Sequence, residues 1–443
     1  MSWLRRSRRA LLLLLVNLVT FCALAEGLGL LVFYYQSGWL FYIDPYKPTF
    51  AAPIETREDA GLTAVGIHPY FGPTHRPGIP FDIPVDQREP GSTAPSIPTN
   101  NFGFVSASNY PYAKHSPDEY LVGIFGGSVG AWFCQVGSGR LVQQLSTQPA
   151  LRGRRVVPLC FSHEGYKQPQ QLLVLTYFLS IGQQFDLVVN IDGFNEVALS
   201  PINEERGFDA SMPSAPHLEP LINLVNQSTL TPDKLDSLAQ IAGLRRRLAR
   251  LSSTLNATRF ASVFVALERV HTFTQTQYAA ERVRFSQLPS NPPANSAIHA
   301  TPPVAVRQGD ALFESVATNW ATASAMMQAL LTPRGIGYLH VLQPNQYFTA
   351  RRFSAEEARV ALLAESPFKI SVERGYPFLV KALQTAATSG TPHVIDGTRA
   401  FDNEPGAVYV DNCCHYTRRG NLVLADLIAR SLEDLPTRIS TRR

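Results

Sequence analysis

The chain is poor in cysteine and in charge: five cysteines and 17% charged residues over 443 positions. Cys22, Cys134, Cys160, Cys413 and Cys414 follow no zinc-site spacing, which excludes a zinc-finger or zinc-ribbon scaffold. A basic excess is also lacking. The formal charge of +4 comes from 39 Lys+Arg against 35 Asp+Glu, and Arg5, Arg6, Arg8 and Arg9 all precede the first apolar run. The rest of the chain is balanced and has no positive stripe, so a nucleic-acid partner is excluded. The dense basic run in "LRRRLARL", residues 245–247, reads as the solvated face of an amphipathic helix. There is no internal repeat. With 45% hydrophobic residues, the chain can bury a substantial globular core.

Residues 10–35, "ALLLLLVNLVTFCALAEGLGLLVFYY", are almost wholly apolar. A bilayer-spanning helix needs about 20 such residues. The arginines before it belong on the cytoplasmic side, which places the body outside, in a periplasmic or extracellular space. Phe33, Tyr34, Tyr35, Trp39, Phe41 and Tyr42 suit an outer interfacial belt. Glu26 interrupts the run, where a charge is costly and calls for a proton or a partner. Ala23-Leu24-Ala25 also reads as a signal-peptidase site. Strong hydrophobicity continues beyond it, which favours an uncleaved anchor. In an oxidising compartment the four other cysteines are free to form disulfides. One of the adjacent Cys413 and Cys414 pairing with Cys134 or Cys160, and buried free thiols, are both open readings.

The expected organisation is a basic tail (1–9), the anchor (10–35), an extended Pro-rich linker (36–99), an α/β core in two parts (100–201 and 304–436) around a helical insertion (202–303), and a basic tail (437–443). Apolar runs at 119–125, 154–160 and 185–191 read as buried parallel strands, with helices at 129–145 and 168–181 between them. This alternation predicts βαβ units. The insertion reads as a helical hairpin over 233–250 and 257–285. The rhythm resumes with a helix at 312–331, a strand at 335–344, helical residues 354–387, a strand at 393–397 and a helix at 418–432.

The strongest local signal is "FGGSVG", residues 125–130. A buried strand ends there, two glycines permit a sharp turn, and Ser128 opens a helix. That geometry exposes a hydroxyl beside helix N–H groups able to hold an oxyanion. No Lys-Ser or Lys-Thr follows, so the turn is not a phosphate-binding loop. The string also fits G-x-S-x-G of α/β-hydrolases, but that fold places more strands before its serine. In "YVDNCCHYTRRGN" His415 stands just before a helix with Asp411 four residues earlier, a base and its carboxylate. Asp192, Glu196, Tyr409 and Tyr416 read as turn, helix-start or packing residues.

In four blocks the chain resembles the SGNH (GDSL-type) hydrolase superfamily. "FGGSVG" resembles the nucleophile block and gives Ser128. "SHEGYKQPQQL" (162–172) resembles the glycine block and gives Gly165. "IDGFNEV" (191–197) resembles the G-x-N block and gives Gly193 and Asn195. "DNCCHYTRRGN" resembles the last block and gives His415 and Asp411. "NNFGF" (100–104) resembles a segment that precedes the core in anchored members. The resemblance implies a three-layer α/β/α, flavodoxin-like fold with a mainly parallel five-stranded sheet. It implies an acyl-enzyme on Ser128, with His415 as base, Asp411 as its support, and an oxyanion hole from Ser128, Gly165 and Asn195. No metal or organic cofactor is implied. The family's Gly-Asp-Ser is Gly-Gly-Ser here, with Gly127 in the Asp position. Its acid lies three residues before the histidine, where Asn412 stands. Asp411 presented by a small bulge, Asn412 in that slot, and a backbone carbonyl instead are all open. The expected function is an esterase acting on an acylated small molecule or an envelope or secreted glycan, with acetyl as one candidate group. A polysaccharide O-acyltransferase with the same chemistry and a non-catalytic binding or assembly protein are the alternatives. The membrane is the expected partner of the N-terminal helix; protein partners are not legible.

Overall fold

The computed structural model describes residues 2–38, 40–43, 65–81, 97–219, 231–288, 306–388 and 394–433. Most of the expected linker and the whole of the 437–443 tail lie outside them.

Helix α1 (Ser2–Ser37) is followed by strands β1 (Val65–His68) and β2 (Gly72–His75), then β3 (Pro80–Phe81) and β4 (Ile97–Pro98). Both pairs are antiparallel. The core continues with β5 (Glu119–Gly126), α2 (Ser128–Val136), α3 (Ser138–Thr147), β6 (Arg155–Ser162), α4 (Gln170–Ser180), β7 (Leu187–Asp192) and α5 (Phe194–Glu205). Two long helices come next, α6 (Pro232–Ala257) and α7 (Ala261–Gln287). The chain ends with α8 (Gly309–Leu331), β8 (Gly337–Leu342), α9 (Ala355–Ala361), α10 (Lys369–Thr388), β9 (Val394–Asp396) and α11 (Arg418–Glu433).

Two compact units result: residues 1–63 with 226–297, and residues 64–225 with 298–443. The second holds a sheet of order β6-β5-β7-β8-β9. Every pairing in it is parallel. This is the order of flavodoxin-like doubly wound sheets. Its central strands β5, β7 and β8 are buried on both faces, so they read as continuous apolar runs rather than alternating ones. Alternation nonetheless sorts the side chains: Val122, Ile124, Val189 and Val341 join one core cluster, while Leu121, Phe125, Val188 and Tyr338 join the other. Helices cover both faces: Phe133, Leu141 and Leu424 belong to the first cluster, and Leu175, Phe178 and Met327 to the second.

Cys134 on α2 and Cys160 on β6 form a disulfide with Cα atoms 5.8 Å apart, while Cys413 and Cys414 are free thiols. The pairing of 413 or 414 with an earlier cysteine is therefore not realised. The helix expected over 129–145 breaks at Gly137, where a Cβ would stand 2.5 Å from the Phe133 ring and 3.0 Å from the Asn421 carbonyl. The expected insertion is also narrower than 202–303. Helix α5 runs past residue 202, and residues 208–218 pack into the core unit. Buried Lys167 donates to the carbonyls of Ala210 and Met212, and Asn203 Nδ2 donates to those of Asp209, Met212 and Pro213.

The other unit joins α1 to the α6–α7 hairpin. Leu11–Ser37 is long and apolar enough to cross a membrane. Residues 11–24 are exposed on all sides, and packing begins at Ala25. The Glu26 carboxylate caps α7: it accepts from Ala261 N at 2.6 Å, Ser262 N at 3.1 Å and Ser262 Oγ at 2.6 Å, and also from the Tyr42 hydroxyl. The first N–H groups of a helix lack intrahelical partners and favour an anion, which accounts for an acid inside an apolar run. A Cβ on Gly29 would stand 2.4 Å from Ser262 Cα, so glycine permits this close approach. Phe33, Phe41 and Phe264 meet edge to face beside it, with centroids 5.1–5.5 Å apart.

Candidate active site

The register of the sheet brings the C-terminal ends of its strands to one edge: Gly126 pairs with Ser162 and Ile191, and Asp192 with Leu342. Ligand sites of open parallel sheets lie at this edge. Ser128 opens α2 immediately beyond β5 and is 9% exposed. Its Oγ lies 2.8 Å from His415 Nε2, and His415 Nδ1 lies 2.5 Å from Asp411 Oδ2. The three side chains thus form a continuous hydrogen-bonded line between residues 287 positions apart. The Trp132 ring flanks the imidazole, with centroids 5.7 Å apart.

Of the two neighbours, Asp411 and not Asn412 has its side chain on His415. Its Oδ1 accepts the backbone N–H groups of Cys413, Cys414 and His415 at 2.9, 3.0 and 3.2 Å, turning residues 411–415 into a tight loop. The Tyr409–Tyr416 bridge and the Val410 N–H on the His415 carbonyl close that loop. Burial alone would raise the Asp411 carboxyl. The hydrogen bond and charge of His415, with two backbone N–H groups, outweigh it and hold the carboxyl below its usual range. Asn412 contributes its carbonyl, which accepts from Tyr347 Oη and Ser366 Oγ at 3.0 and 3.1 Å.

Asn195, near the start of α5, is 8% exposed, and its Nδ2 donates to the Tyr166 carbonyl at 2.8 Å. A Cβ on Gly127 would stand 2.2 Å from that Nδ2 and 3.0 Å from Tyr166 O. The residue before the serine is glycine because the Asn195 amide occupies the space of its side chain. Gly165 sits at φ +75, a left-handed conformation that suits glycine, and the His217 ring covers its Cα. Gly193 precedes α5 and packs against Leu342.

Sequence reading missed the residues that hold the histidine loop. Asn345 Nδ2 donates to Cys413 O at 3.1 Å, and Gln346 Nε2 donates to Asp411 O at 3.0 Å. With Tyr347 they follow β8, and only their position beyond a core strand hinted at a role. A second Ser–His–Asp set was missed as well. His340 lies between Asp192 Oδ1 at 2.6 Å and Ser324 Oγ at 2.7 Å. All three are at most 3% exposed, and Trp320 Nε1 also donates to Asp192, so this set is a core network without access for a substrate. Glu196 accepts from the N–H groups of Gly193 and Gln168 and secures the start of α5. Tyr409 and Tyr416 are buried.

Two groups of metal-type donors occur among the described residues: Cys413, Cys414 and His415, and His75, His163 and Glu164. In the first, His415 is engaged by Ser128 and Asp411. The Cys414 thiol, which touches Ser128, is pushed up by burial and its Cys413 neighbour, so it stays protonated and is a poor ligand. No protein-family model and no curated protein matches the chain.

Proposed function

We propose that the chain is a membrane-anchored serine esterase of the SGNH hydrolase class. The observation that carries this reading is the Asp411–His415–Ser128 line at a helix start on the ligand-binding edge of the sheet. Ser128 Oγ attacks an ester carbonyl and gives its proton to His415 Nε2. Asp411 holds the ring so that Nδ1 carries a proton and Nε2 a lone pair, and it stabilises the imidazolium that forms. The tetrahedral oxyanion receives the N–H groups of Ser128 and Gly165 and the Asn195 amide. One hydrogen of that amide already binds Tyr166 O, and the other is available to the substrate. The leaving alkoxide takes the proton from His415. Water, deprotonated by His415, attacks the acyl carbon, and His415 returns that proton to Ser128 Oγ as the C–Oγ bond breaks and the acid leaves. The substrate is an acylated small molecule or glycan, with acetyl the simplest group for this site.

The Cys134–Cys160 disulfide supports export of this unit to an oxidising space. Arg5, Arg6, Arg8 and Arg9 support a cytoplasmic N-terminus, with α1 as the anchor. The test uses the full chain in detergent with p-nitrophenyl acetate and a fluorophosphonate probe, beside S128A. Turnover and labelling confined to the wild type are expected. A folded wild type that neither turns over the ester nor takes the probe would overturn the proposal and return the chain to a binding or assembly role.

A further inference from the structure

A second constellation, which the esterase chemistry does not use, stands on the turn that carries Gly165. His75 ends β2, His163 and Glu164 directly follow β6, and the two imidazole rings lie 4.3 Å apart between centroids, tilted by 39°. His75 Nε2 lies 2.9 Å from Glu164 Oε2, and His163 Nδ1 lies 3.7 Å from the same oxygen. One ligand atom from each of the three residues falls within 4.8 Å of the others. Tetrahedral ligands bound to zinc at their usual bond lengths lie about 3.4 Å apart, so small side-chain movements suffice to enclose an ion. The set is two imidazoles and one carboxylate, a combination that suits Zn²⁺.

Two observations argue against a plain ion pair. His163 is 2% exposed, and its Nε2 is buried with no hydrogen-bond partner among the described residues. An unsatisfied buried nitrogen is costly and calls for a ligand. In addition, His163 Nδ1 lies 2.9 Å from the Glu164 carbonyl, a contact of the kind that orients metal-binding histidines. A third imidazole, His217, lies against Gly165 and interacts electrostatically with both Glu164 and His75. Its Nδ1 is fixed by Ser214 Oγ at 3.0 Å.

We propose that His75, His163 and Glu164 form a binding site for Zn²⁺ or a like divalent transition ion, with His217 beside its remaining position. The ion ties the β1–β2 hairpin to the 163–166 turn, and so fixes the backbone that presents Gly165 and Tyr166. The cysteine spacing gave no hint of this site because its donors come from two distant stretches of chain and include no thiolate.

The test uses full-length protein in detergent, without a histidine tag and stripped with a chelator. Expected are close to stoichiometric Zn²⁺ retention after desalting, a higher melting temperature with added Zn²⁺, and the intense visible absorption of tetrahedral Co²⁺ without sulfur charge-transfer bands. H75A and E164Q should each lose these signals, and C413S/C414S should keep them. Wild-type protein that shows neither retention nor a melting shift overturns the proposal, and so does a metal signal that follows the cysteines instead. Fluorophosphonate labelling of Ser128 is read separately, so failure of this site and failure of the esterase reading are distinguishable.

Discussion

Replacing Asp411 with asparagine separates the support of His415 from the fold of its loop. The substituted side chain keeps an oxygen for the N–H groups of Cys413, Cys414 and His415, which now meet Asp411 Oδ1 at 2.9–3.2 Å. Its amide, however, directs hydrogens toward His415 Nδ1, 2.5 Å from the present Oδ2. Nδ1 must then accept, the ring proton moves to Nε2, and Nε2 has no lone pair for the Ser128 hydroxyl. In a serine protease the same exchange lowers turnover about 10⁴-fold. At 1.36 kcal/mol per tenfold this is about 5.4 kcal/mol of barrier. D411N should therefore lose nearly all p-nitrophenyl acetate turnover and fluorophosphonate labelling while melting close to wild type. N412A should differ little from wild type in both, since Asn412 engages Tyr347 and Ser366 through its backbone. D411N activity within about tenfold of wild type, or an N412A loss as large as that of D411N, refutes the assignment.

G127A drives a methyl into the space of Asn195 Nδ2, 2.2 Å away; losing that donor should lower turnover about 10²–10³-fold, read beside N195A as the reference. Removing the disulfide with C134S/C160S should cost about 3.5 kcal/mol for a loop of 26 residues, seen as a lower denaturation midpoint, whereas C413S should barely move it. E26A strands the acceptor-seeking groups of Ala261, Ser262 and Tyr42, and should loosen the α6–α7 hairpin by about 1–3 kcal/mol, read as faster limited proteolysis within 231–288. Acid stability provides another check. Asp411 is held below its unfolded value, so its contribution is present above about pH 4 and is lost as pH falls through the folded value. The D411N melting curve should be flatter than wild type in that range.

Much of the core was legible because it is local. A parallel strand buried on both faces must be an uninterrupted apolar run, so β5, β6, β7 and β8 stood out from their composition. A strand ending in Gly-Gly-Ser before a helix placed Ser128 without reference to anything distant. Apolar length marked α1 equally well. Other features depend on atoms far apart in sequence. Gly127 looked like a defect until the Asn195 amide was found in the space its side chain would need. By spacing the resemblance put the acid position at Asn412, with Asp411 one residue further back; the closing Tyr409–Tyr416 bridge and the hydrogen bonds from Gln346 and Asn345 present Asp411 to His415 instead. Glu26 was an anomaly until the α7 N-terminus was found against it. The second Ser–His–Asp set uses the same residue types as the first, and nothing local in the sequence marked it. Tertiary burial separates them, because burying Ser324 of α8 with His340 and Asp192 in the core removes the access that Ser128 retains. Periodicity and turn chemistry act within a few residues and are written along the chain; steric exclusion, partner choice and solvent access arise only once the chain has folded back on itself.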